Sequence, residues 1–158
     1  MLRISNLNPR EKGFLLVMLV AVLLGAILPS RLSLALGESV RHKLFFLGGR
    51  PVEHRIQAGD YLVFPYDGHR LTKFAACLPG DRLNVIEGEF FCNGEFLGRA
   101  LTVNSLGEPL PQWQFNGVVP TGRVFMSGHH QRSYDSRYMG FIDIEEITHK
   151  AYPLWPFW

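Results

Sequence analysis

In the segment Leu71 to Cys77, read LTKFAAC, one charged side chain interrupts an apolar alternation. On a strand, Leu71, Lys73, Ala75 and Cys77 share one face. A lysine in that position has two fates. It snorkels to solvent at a sheet edge, or it is buried and desolvation lowers its pKa. Brought from about 10.4 to near 7 or 8, the neutral amine becomes a general base. Its partner would be a hydroxyl, and Ser39, in GESVRH, follows the apolar N-terminal run. A serine and a neutral lysine form a hydrolytic pair, in which the amine takes the hydroxyl proton as the oxygen attacks a carbonyl. Ser30 and Ser33 are alternative nucleophiles closer to that run. A third polar segment, SYDSRYMG at 133–140, lies between GRVFMS and FIDI, which read as core strands. It is a surface loop or the floor of a site whose polar groups satisfy one another.

The elements that must position these residues follow from pattern. Residues 13–30 carry no charge, and 18 helical residues span roughly 27 Å, near the minimum for a bilayer crossing. Arg3, Arg10 and Lys12 precede the run, which places residues 1–12 in the cytoplasm and 31–158 outside it. A cleaved signal peptide has the same charge order, with Ala35 and Gly37 as small residues before a cut. Beyond the run, strands are expected at 44–47, 61–64, 71–78, 82–86, 90–92, 96–103, 122–127 and 138–144, with Asn93-Gly94 as a tight turn and 104–117 as a loop. The fold class is all-β, a folded-over sheet or partial barrel, with one N-terminal transmembrane helix. The C-terminal YPLWPFW holds two prolines and is not a helix; Trp155, Phe157 and Trp158 pack on the core or sit at a membrane surface.

At 158 residues with a net charge of +2, the chain is one domain with no nucleic-acid footprint. Cys77 and Cys92 flank a turn; they form a disulfide in an oxidising space or remain free and buried. The two cysteines have no nearby histidine pair and make a poor zinc site, and His129-His130, adjacent on a strand, point to opposite faces. No cofactor is expected.

The combination resembles the type I signal peptidase family, the membrane-anchored Ser/Lys endopeptidases. An anchor is followed by a serine, by Gly59-Asp60 before a strand, by Lys73 ahead of Pro79-Gly80-Asp81, and by the Ser133 to Gly140 box. Gly107 to Pro111, the box and Ala151 to Trp155 look closest to the conjugative-transfer, TraF-type branch, which processes pilin-type precursors. The resemblance implies Ser39 as nucleophile and Lys73 as general base. Ser133 would hold the amine, and Asp135 and Arg137 would form an ion pair beneath it. It implies precursors with signal peptides as substrates, conjugative-transfer machinery and the lipid bilayer as partners, and the inner membrane as location. The chain departs from the family after the nucleophile, where Ser39-Val40-Arg41-His42 lacks a proline, and at Gly37, where some members carry a hydroxyl.

Three other readings stand beside it. A Ser39, His130, Asp135 triad lacks a nucleophile elbow. Self-cleavage of the repressor type uses a similar Ser/Lys pair, but on a soluble chain. An inactive, membrane-anchored assembly factor of a pilus or secretion system would keep the fold without the chemistry.

Overall fold

A computed structural model describes residues 8–35 and 39–155, with every side chain among them except those at 24, 27–29 and 155. The proposed cut after Gly37, the hydroxyl position at Gly37, and the packing of Trp155, Phe157 and Trp158 therefore lie outside the described residues.

The apolar run forms α1, Pro9–Arg31. Its start is specified locally. Asn8 accepts the Glu11 N–H at 2.9 Å, and Glu11 accepts the Asn8 N–H at 2.8 Å, a reciprocal cap with Pro9 at the first helical position. Phe14, Leu16, Val17 and Val22 all face outward. Among the described residues, no helix is long and apolar enough to cross a membrane.

Among the described residues eleven strands follow: β1 (Leu32–Leu34), β2 (Leu44–Leu47), β3 (Tyr61–Tyr66), β4 (His69–Cys77), β5 (Arg82–Ile86), β6 (Glu89–Cys92), β7 (Glu95–Arg99), β8 (Asn116–Val118), β9 (Arg123–Ser127), β10 (Ile142–Asp143) and β11 (His149–Trp155). They form two antiparallel sheets, in the order β1-β2-β11-β3-β4-β9-β10 and β7-β6-β5-β8. Three hairpins turn through Asp67-Gly68, Glu87-Gly88 and Asn93-Gly94, with φ positive at both residues of each pair. That backbone matches the right-handed twist of the flanking strands. Phe90, Leu83 and Val85 of the smaller sheet pack with Cys77 and Phe125 of the larger, so the sheets share a core. A disulfide joins Cys77 on β4 to Cys92 on β6, crossing between the sheets.

Several expectations change. The strand expected over 138–144 is a single helical turn, α2 (Ser136–Met139), followed by the two residues of β10. The cause is local. The Asp135 side chain caps α2 by accepting the Arg137 N–H, and Gly140 ends it at φ 78°. The strand expected over 96–103 stops at Arg99, and β8 emerges inside the expected loop. The C-terminal segment is not a helix; it is a strand, β11, lying between β2 and β3. Pro153 is tolerated because it sits at a register shift, beyond the last residue that pairs with β3.

The bridge closes a 15-residue separation, worth about 3 kcal/mol in the chain-entropy account. Replacing Cys77 and Cys92 together by alanine should lower the unfolding free energy by about that amount in a denaturant titration. A change within error would show that the sheets hold together without it.

Candidate active site

Lys73 lies midway along β4, paired across the ladder with Leu62 of β3. The expected alternation holds, with Lys73, Ala75 and Cys77 buried while Thr72, Phe74 and Ala76 are only partly covered. Lys73 is 3% exposed. Its ammonium donates to Ser133 Oγ at 2.7 Å. Burial brings its pKa down to about 8; Asp135 pulls the other way, and Arg137 offsets Asp135.

Beneath the amine, Arg137 and Asp135 form a buried, two-pronged pair. Arg137 Nε donates to Asp135 Oδ1 at 2.8 Å, and the terminal nitrogen donates to Oδ2 at 2.8 Å. The side chains are 3% and 0% exposed. The remaining guanidinium donors reach the carbonyls of Arg99, Ser133 and His130. Asp135 also accepts the Gly128 N–H at 2.8 Å. Residues 133–140 are thus a loop and a helical turn, and their polar side chains satisfy one another as expected of a floor.

Ser39 sits in the connection between β1 and β2, closed by the Ala35 N–H on the Lys43 carbonyl at 2.9 Å. Val40 beside it is buried with Phe45, Leu47 and Val63. The Ser39 carbonyl accepts the His129 N–H at 2.7 Å. Ser39, Leu71 and Lys73 line two adjoining hollows. One, of about 300 Å³, includes Ser33, Leu34 and Ala35; the other, of about 660 Å³, includes Tyr66, His69 and Tyr134. Ser33 lines the first hollow but not the second.

The sequence reading missed the bracket that joins floor to serine. Gly128 bonds Asp135 and His129 bonds Ser39, so two successive N–H groups link the ion pair to the Ser39 turn. A Cβ at Gly128 would run into the Ser133 side chain and the Ser39 carbonyl. The glycine ahead of the box was the available signal. The His129 ring stacks on Phe74 at 4.5 Å and shares a hydrogen bond with Tyr61 Oη at 3.0 Å. Burial, then Arg41 and His42, lower its pKa. Ser136 was also missed; its Oγ accepts the Met126 N–H at 2.9 Å and ties α2 to β9. The Ser39, His130, Asp135 triad has no such geometry, because the Asp135 carboxylate is taken up by Arg137 and Gly128, and His130 Nδ1 accepts the Arg132 N–H. Among the described residues, Cys77, Asp81 and Cys92 are the grouped candidates for metal ligation, and both thiols are spent in the disulfide.

An antiparallel β domain with a buried lysine bonded to a serine, over a buried Asp–Arg pair, defines a class of site. The pattern of the family described as signal peptidase, peptidase S26, matches residues 13–155. The chain belongs to that family. It is similar to a probable signal peptidase I-2 of Synechocystis sp., 33% identical over 111 residues, which are 63% of this chain and 49% of the relative. The chain thus spans about half the length of that curated relative. It also resembles a crystal structure of a signal peptidase I from Enterococcus faecalis, at 27% identity and a TM-score of 0.41, covering 60% of this chain and 94% of the other.

Two predictions follow from the buried charges. The native pKa of Lys73 lies below its unfolded value of 10.5, so between about pH 8 and 10.5 the unfolded chain holds the extra proton. Stability should therefore rise with pH across that window, and below it the burial costs roughly 3 kcal/mol. Lys73→Met should remove that slope and be more stable at pH 7, less about 1 kcal/mol for the lost Ser133 bond. Parallel slopes for the two proteins would show an amine that is not desolvated. Asp135→Asn leaves the guanidinium buried without its counter-charge and should cost about 3–5 kcal/mol in thermal or denaturant unfolding; a loss below 1 kcal/mol would contradict the pair's burial.

Proposed function

We propose that this chain is a Ser/Lys endopeptidase that removes signal peptides from exported precursors. The observation that carries the reading is the desolvated Lys73 amine, held by Ser133 at 2.7 Å and lining the same hollows as Ser39. Neutral Lys73 takes the Ser39 proton as Oγ attacks the scissile carbonyl. The resulting ammonium passes the proton to the leaving amine. Water then repeats the sequence on the acyl-enzyme, with the lysine again as base. Ser133 restrains the amine toward Ser39, and the Asp135–Arg137 pair is a positioning element, not an acid of the triad kind. The oxyanion would rest on backbone N–H groups, chiefly that of Ser39; one such donor is worth roughly 3–4 kcal/mol of barrier.

We propose further that the charge-free run at 13–30 anchors the domain in the inner membrane, with the N-terminus in the cytoplasm and the site outside, although the described part of α1 is not by itself long and apolar enough to cross. The charge order before the run and the outward-facing apolar side chains support this, and a disulfide suits an oxidising space. Pilin-type precursors of a conjugative transfer system are the narrower reading. It is supported by the sequence of Gly107 to Pro111, of the 133–140 box and of Ala151 to Trp155.

Ser39→Ala and Lys73→Ala should each abolish processing of a co-expressed precursor, read as loss of the size shift on a gel. In the purified wild type, kcat/KM should rise with pH and level off above about 8, because only the neutral amine acts. At pH 6 about a hundredth of the amine would be neutral, and the rate should fall accordingly. Normal processing by both variants would sink the assignment. Loss in Lys73→Ala alone would move the nucleophile to another serine.

A further inference from the structure

The connection from β7 to β8 is long, and the dyad makes no use of it, yet it is firmly built. Val103 and Pro109 form a bridge. Asn104 Oδ1 accepts the N–H groups of Leu106 and Glu108 at 2.9 and 3.0 Å. The Leu101 N–H donates to Tyr138 Oη at 2.9 Å, tying the connection to α2. Beneath it lies a hollow of about 320 Å³, lined by Leu101, Val103, Leu110, Tyr138, Tyr134 and Arg132, with Thr102, Asn104 and Ser105 completing it. Among these lining residues Arg132 is the one bearing a charge.

We infer that this hollow binds the mature part of the precursor, downstream of the cut, and that Arg132 selects an acidic residue there. The inference rests on the peptidase reading. Shared residues order three hollows in a row. The one at Ser33, Leu34 and Ala35 adjoins the larger one through Ser39, Leu71 and Lys73; the larger adjoins the third through Tyr134. The first hollow includes residues that leave α1 directly. A precursor whose apolar helix lies beside α1 enters at that end. Its scissile bond meets the dyad in the middle, and the chain after the cut continues past Tyr134. That tyrosine makes a firm wall, since its ring stacks on Tyr138 at 5.3 Å and its hydroxyl lies 3.4 Å from that of Tyr66. The third hollow offers apolar walls, two aromatic rings and one exposed guanidinium. It suits an apolar side chain with a carboxylate nearby, and it repels a lysine.

The test compares preferences within each enzyme, which cancels any difference in active fraction. Full-length protein in detergent is given precursor peptides carrying Glu or Lys at each of the first few positions after the cut. Wild type should favour Glu over Lys in kcat/KM by about three- to fivefold at one position, the scale of an exposed ion pair, and the preference should fade in high salt. Arg132→Glu should invert that preference at the same position. Ser105→Trp, which fills the hollow, should raise KM for the long peptides relative to peptides ending one residue after the cut. Equal ratios in wild type and Arg132→Glu, or no preference in wild type while cleavage proceeds, would overturn the inference and leave the peptidase reading standing. Failure of wild type to cleave any of these peptides would overturn both.

Discussion

The structure turns on removing one ammonium from water without letting a nearby carboxylate stabilise it. Asp135 alone would favour the charged form of Lys73. Arg137 takes both carboxylate oxygens and offsets part of that field. Burial then has the largest effect on the amine, and its pKa falls toward 8. The two partners thus act on the amine in opposite directions, while the outward hydrogen bonds of Arg137 reach the carbonyls of residues 99, 130 and 133. A neutral apolar floor would desolvate the lysine equally well. It would not hold the loop that presents Ser133.

The same pair reaches the serine by a path of backbone groups. Asp135 accepts from Gly128, and the next amide, that of His129, donates to the Ser39 carbonyl. Phe74, next to Lys73 on β4, stacks on the His129 ring from the other face of the strand. The Lys73 amine and the Ser39 turn therefore lean on adjacent residues of one strand. Gly128 is the pinch point, because any side chain there would press on both Ser133 and Ser39. That is a packing demand on a glycine, with no call on unusual backbone angles.

Some of this was legible in the residues. Alternation placed Lys73 among buried neighbours, since period two is a property of any strand whatever it pairs with. The Asn93-Gly94 turn was legible for a similarly local reason, whereas the Ser133 contact to the amine and the Asp135–Arg137 pair were expected from the family resemblance. What was lost is mostly nonlocal. β11 joins the sheet through partners about 90 to 110 residues away, and no pattern within its seven residues announces that. The Cys77–Cys92 link stayed open because pairing depends on how two sheets meet. α2 is a different failure. Its cap and its terminal glycine were present in the sequence, but the flanking apolar runs suggested a strand continuing through it.

The placement of the disulfide bears on how the site is tolerated. Cys77 lies on the same face of β4 as Lys73, two pleats along, and its partner belongs to the other sheet. Burying the amine costs roughly 3 kcal/mol at neutral pH on the scale of its pKa change. A cross-link over this separation contributes about 3 kcal/mol in the opposite direction. The strand that bears the destabilising group is thus the one cross-linked to the neighbouring sheet. A β domain of this size could not absorb many such costs within a stability of about 5–15 kcal/mol; among the described residues the buried charged side chains are Lys73 and the Asp135–Arg137 pair.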